Sequence, residues 1–430
     1  MEQGEFSEKT LIADSENSGF SGSSISEKTL IADLHIHSRF ARATSKSIDI
    51  PNLVKYAKIK GLDLLGTGDF QHPEWSKELE GLEEREGILY YQDFPFLWQT
   101  EISLMYSQGG KGRRVHYLIL APSKEVVKQI TQFLQSKGRL DYDGRPIFGF
   151  SSVVLAEEME KISKDIEIIP AHSWTPWFGI FGSMSGFDSL KEAFQDKADR
   201  IHAIETGMSS DPEMNWRIKE LNEKSIVSFS DIHSFWPWRL GREATIFTGE
   251  LNYKNILQQI RENSFKATVE TDPAYGKYHW DGHRNCKFSC SPEESRKLNN
   301  ICPKCGKELV IGVENRVEEL ATNPKGFMPK NAKPFYKILP LHELIALAKA
   351  STLASKKTWA VYNQLIEKFG NEFNILLKAE KTELAKLLGD EKLVELIMDN
   401  RIGNLKIVPG YDGTYGKLEL NKQVSLSNFI

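Results

Sequence analysis

The sequence predicts an α/β barrel, followed by a small cysteine-bound module and a helical C-terminal region. Three observations support this architecture. Short apolar strands alternate with amphipathic helices over residues 29–272, and most of these strands end in a histidine, an aspartate or a glutamate. All four cysteines lie between residues 286 and 305. Residues 341–400 have helical periodicity almost throughout.

Composition restricts the protein class. The chain has 430 residues, 40% of them hydrophobic, which is enough to bury a large core in more than one domain. The 55 Lys and Arg residues are balanced by 59 Asp and Glu, a formal charge of -4, so any nucleic-acid surface must be a local patch. No run approaches the roughly 18 apolar residues of a membrane span, and the acidic, Ser-rich N-terminus is unlike a secretory signal. These features predict a cytoplasmic protein without a membrane partner.

The N-terminal residues 1–28 are rich in Ser, Gly and Glu and are predicted to be a flexible tail. The stretch Ser7–Asp14 recurs letter for letter at Ser26–Asp33, but only the second copy continues into His35 and His37. We therefore expect only the second copy to contribute to a functional site.

Metal-capable side chains follow the strands in order. His35 and His37 come after the apolar stretch Leu30–Ala32, and their i, i+2 spacing places both imidazoles on one face of a strand. The alternative is an edge strand with two solvated histidines. His, Asp and Glu are the ligands that hydrolytic di- and tri-metal sites require, and the same chemistry recurs at later predicted strands, at Asp69, Glu101, His116, His172, Glu205, Asp231 and His233. The series predicts a multinuclear site at the carboxyl ends of the strands.

The cysteines form two pairs, Cys286-x3-Cys290 and Cys302-x2-Cys305, with eleven residues between the pairs. Such pairs can close a tetrahedral four-thiolate Zn²⁺ site, whereas unpaired buried thiols are the alternative. We expect one structural zinc to hold together a module over residues 276–325. Residues 326–430 are then predicted to be an all-helical C-terminal domain that binds DNA, with dimerisation or packing as the alternative role.

The ordered motifs His35-Ile36-His37, Glu101, His116, His172 and Asp231-Ile232-His233 resemble those of the PHP (polymerase and histidinol phosphatase) superfamily, over residues 31–272. The resemblance implies a distorted (β/α)7 barrel, here residues 29–275, with two or three divalent ions (Zn²⁺, Mn²⁺ or Mg²⁺) at its carboxyl end. The second PHP motif usually reads Thr-Asp-His, but this chain has Gly68-Asp69-Phe70. We take Asp69 as the replacement ligand, with His72 as the alternative. The implied metal ligands are His35, His37, Asp69, Glu101, His116, His172, Asp231 and His233.

The succession of barrel, zinc module and helical region, together with the loop at residues 409–413, resembles the endonuclease Q family of DNA-repair nucleases. The resemblance implies hydrolysis of the phosphodiester 5′ to a deaminated base (uracil, hypoxanthine or xanthine) or an abasic site. Double-stranded DNA is the expected partner, and single-stranded DNA is a further one. The protein is expected to be associated with the nucleoid. Glu101, Asp231 and His233 are the expected catalytic residues, Glu101 as the carboxylate bridging two ions. A PHP phosphatase for a small phosphomonoester is the alternative.

Recognition of a damaged base inside a duplex requires extrusion of that base, and an extruded base needs an aromatic or apolar pocket. Trp174 and Trp177 follow His172, and residues 235–238 after His233 are also rich in aromatic side chains. We assign Trp174 and Trp177 to the base pocket, with core packing as the alternative. Arg39 and Arg42, in the loop after the first two histidines, are the candidate phosphate clamp, with solvated loop charge as the alternative.

Overall fold

The computed structural model describes residues 28–419. The predictions on the N-terminal tail and on the first copy of the repeat lie outside the described residues. The strands are β1 (Thr29–Asp33), β2 (Leu64–Gly66), β3 (Glu83–Arg85), β4 (Ile88–Tyr91), β5 (Phe94–Leu97), β6 (Gln99–Gln108), β7 (Lys111–Leu120), β8 (Ile147–Phe148), β9 (Glu167–Pro170), β10 (Ala203–Glu205), β11 (Ser225–Val227), β12 (Ala244–Thr248), β13 (Ala267–Glu270), β14 (Asp281–His283), β15 (Phe288–Cys290), β16 (Phe335–Lys337), β17 (Lys406–Val408) and β18 (Lys417–Glu419). The helices are α1 (Ile50–Lys60), α2 (Pro73–Glu80), α3 (Lys124–Lys137), α4 (Ser152–Ile162), α5 (Leu190–Phe194), α6 (Pro212–Trp216), α7 (Tyr253–Arg261), α8 (Pro292–Lys297), α9 (Val313–Leu320), α10 (Leu341–Ala348), α11 (Lys356–Phe369), α12 (Glu372–Leu377), α13 (Lys381–Leu388) and α14 (Glu391–Arg401).

Three sheets follow one another around a distorted barrel. The largest has the order β16-β13-β12-β1-β2-β5-β4-β3, the second β8-β6-β7-β9, and the third β10-β11. Side chains join neighbouring sheets: Thr67 Oγ1 accepts from Gln99 N at 2.9 Å, and Thr245 Oγ1 accepts from Ser228 N at 3.1 Å. The predicted α/β class and PHP-type barrel are thereby confirmed. Strand β12 pairs with both β1 and β13.

Strand β1 separates the apolar layer from the functional layer by simple alternation. Leu30, Ala32 and Leu34 are buried in one apolar cluster that also contains residues of α7. Asp33, on the opposite face, accepts backbone hydrogen bonds from Ser230 and Gly241. The same alternation places the two histidines that follow β1 on the side of Asp33, inside the barrel.

Helix α1 illustrates how local sequence determines the elements between strands. Asp49 caps it by accepting from Asn52 N at 2.8 Å, and Pro51 occupies its first turn, where no intrahelical N–H partner is needed. Gly61 ends it at φ 95°, a left-handed conformation that favours glycine. These local signals define both ends of the helix.

The helices α10 to α14 confirm a helical C-terminal region, but the prediction that residues 326–430 are all helical was wrong. Strand β16 joins the barrel sheet beside β13, and the hairpin β17–β18 follows the helices. A buried ion pair attaches this region to the barrel: Lys60 Nζ lies 2.6 Å from Glu372 Oε1, and Tyr362 Oη donates to Glu372 Oε2 at 2.8 Å. The aromatic loop after His233 packs on the same helices, since Trp236 and Trp238 both contact the Trp359 ring. That loop is therefore mainly interdomain packing.

Among residues 28–419, no helix has the length and apolar character required to cross a bilayer.

Candidate metal centre and adjoining cleft

The structure brings six of the eight predicted metal ligands into two adjacent groups. One group contains His35, His37, Glu101 and Asp231, and the other contains Glu101, His116 and His172; within each, the ligand atoms lie within 4.8 Å of one another. The first two histidines follow β1, Glu101 lies on β6 and His116 on β7, and the remaining two residues follow β9 and β11. Glu101 belongs to both groups, as expected for a bridging carboxylate.

Glu101 Oε2 contacts the first group, whereas Oε1 contacts the second group and also lies 3.7 Å from His35 Nε2 of the first. Oε1 lies 2.9 Å from His116 Nδ1 and 3.0 Å from His172 Nε2, whereas Oε2 lies 3.1 Å from His37 Nε2. Asp231 Oδ1 lies 3.1 Å from the same His37 nitrogen. These short separations gather nitrogen and oxygen donors around two neighbouring positions.

Three buried atoms in this centre make no hydrogen bond of suitable geometry, although His37 Nε2 and Asp231 Oδ1 lie only 3.1 Å apart: His35 Nε2, His37 Nε2 and Asp231 Oδ1. Leaving such groups unsatisfied in the interior costs about 1–3 kcal/mol each, and buried polar atoms without partners are rare. All three atoms belong to the first group. Their chemistry and convergence fit a divalent cation, because imidazole nitrogen and carboxylate oxygen are the donors that Zn²⁺ and Mn²⁺ accept.

Asp69 is not a member of either group, which corrects its prediction as a direct ligand. Its Oδ1 lies 3.0 Å from His37 Nδ1, and its Oδ2 accepts from Ser38 N and Oγ at 2.7 and 2.6 Å. Glu205 has the equivalent position for His35, with Oε1 2.8 Å from His35 Nδ1. Each carboxylate holds a proton on Nδ1 and so leaves the Nε2 lone pair directed at the metal position. The alternative ligand, His72, also lies outside both groups and stacks on Phe40.

The ionisable groups of this centre have strongly shifted pKa values. The surrounding carboxylates outweigh burial and raise the pKa of His35, His37 and His172, so a metal ion binding there would displace a proton from each ring. Burial alone would raise the pKa of Glu101, but His116, Arg145 and His35 hold it well below its usual range. The pKa of Asp231 is likewise well below normal, because His233 and His35 outweigh its burial. Burial lowers the pKa of His116 to about 4, so this ring is neutral at pH 7. Ionised carboxylates and a neutral imidazole are the protonation states that metal ligands need.

The backbone at the strand ends is unusual. Asp69, His172 and Asp231 have φ values of 38°, 32° and 49°, a left-handed region that non-glycine residues rarely adopt. Such strain concentrates at functional sites, where the surrounding structure holds it. The sharp turns after the strands aim these side chains back over the barrel end.

His233 lies at the rim of the centre, outside both groups. Its ring centroid is 5.1 Å from that of His37, and its Nδ1 lies 3.1 Å from the Asp231 carbonyl oxygen. Burial lowers the pKa of His233, with Asp231 opposing that effect. The residue is therefore placed beside the metal positions as a neutral, partly exposed ring.

The two arginines of the expected phosphate clamp have different surroundings. Arg39 donates to Ile48 O at 3.1 Å and pairs with Glu78, and its guanidinium lies over the Trp75 ring; these contacts make it a structural residue. Arg42 has a side chain that is 68% exposed and pairs with Asp143 at 3.2 Å. Only Arg42 is free to meet a ligand.

A cleft of about 490 Å³ opens beside His116 and His172. Its walls combine aromatic rings with cationic side chains, contributed by Trp177, Phe178, Lys277, Tyr278, Arg242 and Tyr415. Trp177 is thus in the cleft, with its ring 5.8 Å from that of Tyr278. Trp174 is not: it is 1% exposed and its indole N–H donates to Asn215 at 2.7 Å, which corrects its assignment to the base pocket.

The C-terminal hairpin completes this cleft. Gly413 N donates to Lys277 O at 3.0 Å, Arg284 N donates to Asp412 Oδ2 at 2.6 Å, and Trp280 N donates to Gly410 O at 3.0 Å. The loop at residues 409–416 is therefore fixed to the segment that leaves the barrel. This explains why a Gly-rich loop so far along the chain places Tyr415 opposite the barrel loops.

The four cysteines share one small module, but the second metal-capable cluster is formed by His283, Cys286, Cys302 and Cys305. Cys290 is 3% exposed and packs with Leu309. The register of the β14–β15 hairpin places His283 rather than Cys290 in this cluster. Cys290 pairs with Asp281, and His283 pairs with Phe288, so Cys290 lies two residues, or about 7 Å, along the hairpin from His283. The sequence signal for His283 is its spacing, because His283-x2-Cys286 matches Cys302-x2-Cys305 better than Cys286-x3-Cys290 does.

One thiol of the module, that of Cys302, has a lowered pKa, whereas neighbouring groups, chiefly Cys305, raise the pKa of the Cys286 thiol to about 11. Burial would raise the pKa of Cys302, but the Lys304 backbone N–H, the His283 ring and the Cys305 backbone lower it to about 6. Cys305 Sγ lies 3.2 Å from His283 Nδ1. A thiolate that forms near neutral pH is the species that binds zinc.

An α/β barrel whose carboxyl end carries two groups of histidines joined by one carboxylate defines a metal-dependent hydrolase of the PHP class. Comparison with known proteins gives the family. The lesion-specific endonuclease Q of Pyrococcus furiosus superimposes with a TM-score of 0.83 at 29% identity, over 94% of this chain and 98% of that one. An endonuclease Q solved with a 27-mer duplex substrate that has an abasic lesion at the active site gives 0.83 at 30% identity, over 94% and 100%. The chain belongs to the endonuclease Q family, and the prediction that it is an enzyme of this family is confirmed.

Two sequence relationships complete the comparison. Residues 340–404 match the family described as the MJ0043 C-terminal domain. The protein MJ0043 of Methanocaldococcus jannaschii is 36% identical over 256 residues, which are 58% of this chain and 32% of that protein. The chain thus spans about a third of the length of this relative.

Proposed function

We propose that the protein is a metal-dependent DNA-repair endonuclease that hydrolyses the phosphodiester 5′ to a deaminated base (uracil, hypoxanthine or xanthine) or to an abasic site. The observation that carries the proposal is the convergence of three buried donor atoms without a hydrogen bond of suitable geometry, at His35, His37 and Asp231, beside a carboxylate shared with a second group. Family membership supplies the substrate class, since a relative was solved on abasic duplex DNA. With chromosomal DNA as substrate, we place the enzyme at the nucleoid.

The donor sets support two divalent ions. His35, His37, Asp231 and Glu101 would hold one, and His116, His172 and Glu101 the other. When bound, such ions supply an activated water and stabilise the charge that develops on the phosphate oxygens. Asp69 and Glu205 keep the two first histidines in the tautomer that this requires. No ligand for a third ion comes from the second motif, because Phe70, which replaces the usual histidine there, is buried and packs on Trp98.

The residues of the chain then have distinct roles. Glu101, ionised and shared by both groups, joins the two metal positions. Asp231 contributes the second buried anion of the first group. His233, neutral and partly exposed at the rim, is placed to take or give a proton at the substrate, which is the role of a general acid or base.

The cleft is suited to an extruded nucleotide. Its volume of about 490 Å³ lies within the ~300–1,000 Å³ range of ligand pockets. Trp177, Phe178 and Tyr278 offer faces on which a base can stack, each stacked base contributing about 1–3 kcal/mol. Lys277 and Arg242 offer positive charge to the phosphate backbone of the DNA beside the extruded base. Because His116 and His172 line the same cleft, the phosphodiester beside an extruded base would lie next to the metal centre.

We also propose that His283, Cys286, Cys302 and Cys305 hold the structural zinc. The donor set of three thiols and one imidazole is one that structural Zn²⁺ sites use. The module around it has a small apolar cluster built on Cys290, Cys302 and Leu309, so a metal would contribute much of its stability.

One experiment tests the activity. Labelled duplexes containing uracil, hypoxanthine, xanthine or an abasic site, and their single-stranded forms, are incubated with the protein and Mg²⁺, Mn²⁺ or Zn²⁺, and the nick is mapped. We expect a cut 5′ to the lesion, absent with Asp231→Asn, which should still bind the duplex in a gel-shift assay. Ready hydrolysis of p-nitrophenyl phosphate with intact DNA would instead identify a small-molecule phosphatase.

A further inference from the structure

Arg145 is the one arginine or lysine whose side chain touches the bridging carboxylate, within residues 28–419. Its Nη1 donates to Glu101 Oε2 at 3.0 Å. This is the oxygen that also lies 3.1 Å from His37 Nε2, so the guanidinium borders the first metal group. Neither the strand pattern nor the PHP motifs mark this residue, because it lies in the loop between α3 and β8.

The rest of the guanidinium has no protein acceptor in the described part of the chain. Glu101 is the only side chain for which a hydrogen bond or ion pair with the Arg145 side chain is found there. The side chain is 22% exposed, so its remaining N–H donors reach solvent at the mouth of the centre. An arginine presents five donors in a planar fork, and a single bond to Glu101 leaves most of them available.

The loop that carries Arg145 is held firmly in place. Gln71 Nε2 donates to Gly144 O at 2.5 Å, and Asp143 Oδ1 accepts from Arg145 N at 3.1 Å. A Cβ at Gly144 would overlap Asp69 Oδ2, so the loop packs directly on the carboxylate that orients His37. The guanidinium is therefore preorganised relative to the metal positions.

We propose that Arg145 binds the scissile phosphodiester, donating from its free N–H groups to a non-bridging oxygen while Nη1 remains on Glu101. The proposal rests on the proposed function, since the ligand is the phosphate of the DNA strand. Guanidinium groups match phosphate oxygens in charge and geometry. Arg42, exposed and joined to the same loop through Asp143, extends this positive edge along the backbone. Donors preorganised toward the oxygens where charge develops in hydrolysis lower its barrier.

The test compares Arg145→Ala and Arg145→Lys with Arg139→Ala, a matched control on the same loop. Arg139 is exposed and pairs with Asp141 at 2.9 Å, away from the metal groups. Single-turnover nicking of abasic duplex is measured with saturating enzyme, together with metal content by plasma mass spectrometry and the melting temperature. The Arg145→Ala reaction is repeated with added guanidinium at tens of millimolar, below denaturing concentrations.

We expect Arg145→Ala to lose about 10²- to 10³-fold in single-turnover rate, the usual loss for one preorganised donor, with unchanged metal content and partial rescue by guanidinium. Arg145→Lys should recover only part of the rate, because a point charge lacks the fork, and Arg139→Ala should nick as the wild type does. The assignment is overturned if Arg145→Ala nicks within threefold of the wild type. It is also overturned if the variant loses its metal ions and guanidinium restores nothing, since Arg145 would then only support Glu101. A wild-type protein that leaves every lesion duplex intact would overturn the proposed function itself.

Discussion

Replacement of Asp69 by Asn separates a residue that orients a ligand from a ligand. The Asp69 carboxylate accepts from His37 Nδ1 on one oxygen and from Ser38 N and Oγ on the other. An asparagine can keep the acceptor facing Ser38, but its NH₂ group cannot accept from His37. The variant therefore loses one hydrogen bond to a charged group, worth about 1.5–3 kcal/mol. At 1.4 kcal/mol per tenfold, this predicts a loss of roughly 10- to 100-fold in metal affinity, the range usual for such supporting residues.

The assay is a titration of metal-free protein with Mn²⁺, followed by bound metal and by the single-turnover nicking rate. Asp69→Asn should need about 10- to 100-fold more Mn²⁺ and then regain most of its rate, because His37 itself is intact. Asp231→Asn, which removes a donor atom of the first group, should remain inactive at any concentration. If Asp69→Asn behaves as Asp231→Asn does, Asp69 is a direct ligand and the tautomer argument fails.

Three further outcomes are expected. His283→Ala should remove the zinc of the small module, measured by metal content and by loss of melting temperature, whereas Cys290→Ser should retain the zinc; the opposite result would restore the four-cysteine site. Trp177→Ala should weaken binding of lesion duplex by about 1–3 kcal/mol, the value of one stacked base. Fluorescence anisotropy measures this, with undamaged duplex of the same length as control. If the wild type and Trp177→Ala bind lesion duplex with equal affinity, Trp177 is not part of the pocket. Burial raises the pKa of Glu270 from 4.5 to about 8. Between these pH values the folded protein keeps a proton on Glu270 that the unfolded chain releases. The stability that Glu270 contributes is therefore fully present below pH 4.5 and is lost as the pH rises through about 8. Glu270→Gln should therefore gain melting temperature relative to the wild type at pH 9 and not at pH 4, and an identical difference at both pH values would contradict this.

The buried pair between Lys60 and Glu372 bears on the role of the helical region. Lys60 also donates to Pro237 O at 3.0 Å, in the loop that follows His233. The helices α10 to α12 thus pack against the loop that carries one side of the metal centre. The contact identifies support of the barrel as a role of the helical region, which periodicity alone could not assign.

The sequence by itself was sufficient for the architecture and for most of the centre. Strand and helix periodicity located the barrel strands and the five C-terminal helices, and the order of strand-end residues identified His35, His37, Glu101, His116, His172 and Asp231. For His35, His37, His172 and Asp231 this worked because these residues follow the strands β1, β9 and β11, and alternation along a strand decides which face a side chain takes. Glu101 lies near the start of β6 and His116 within the antiparallel β7, so their residue type rather than a strand end marked them. Residue type then supplied the chemistry.

Only the tertiary structure decided what each remaining residue touches. Asp69 and Glu205 lie outside both groups because they face Nδ1 of His37 and His35, and those contacts join residues more than 30 positions apart. Trp174 and Trp177 are three residues apart, yet one is buried in the core and the other lines the cleft. The position of Cys290 outside the metal-capable cluster, and that of Arg145 beside Glu101, likewise depend on tertiary contacts. Local patterns set the direction of a side chain, whereas its partner is set by closure of the barrel and by the hairpins and loops that close over it.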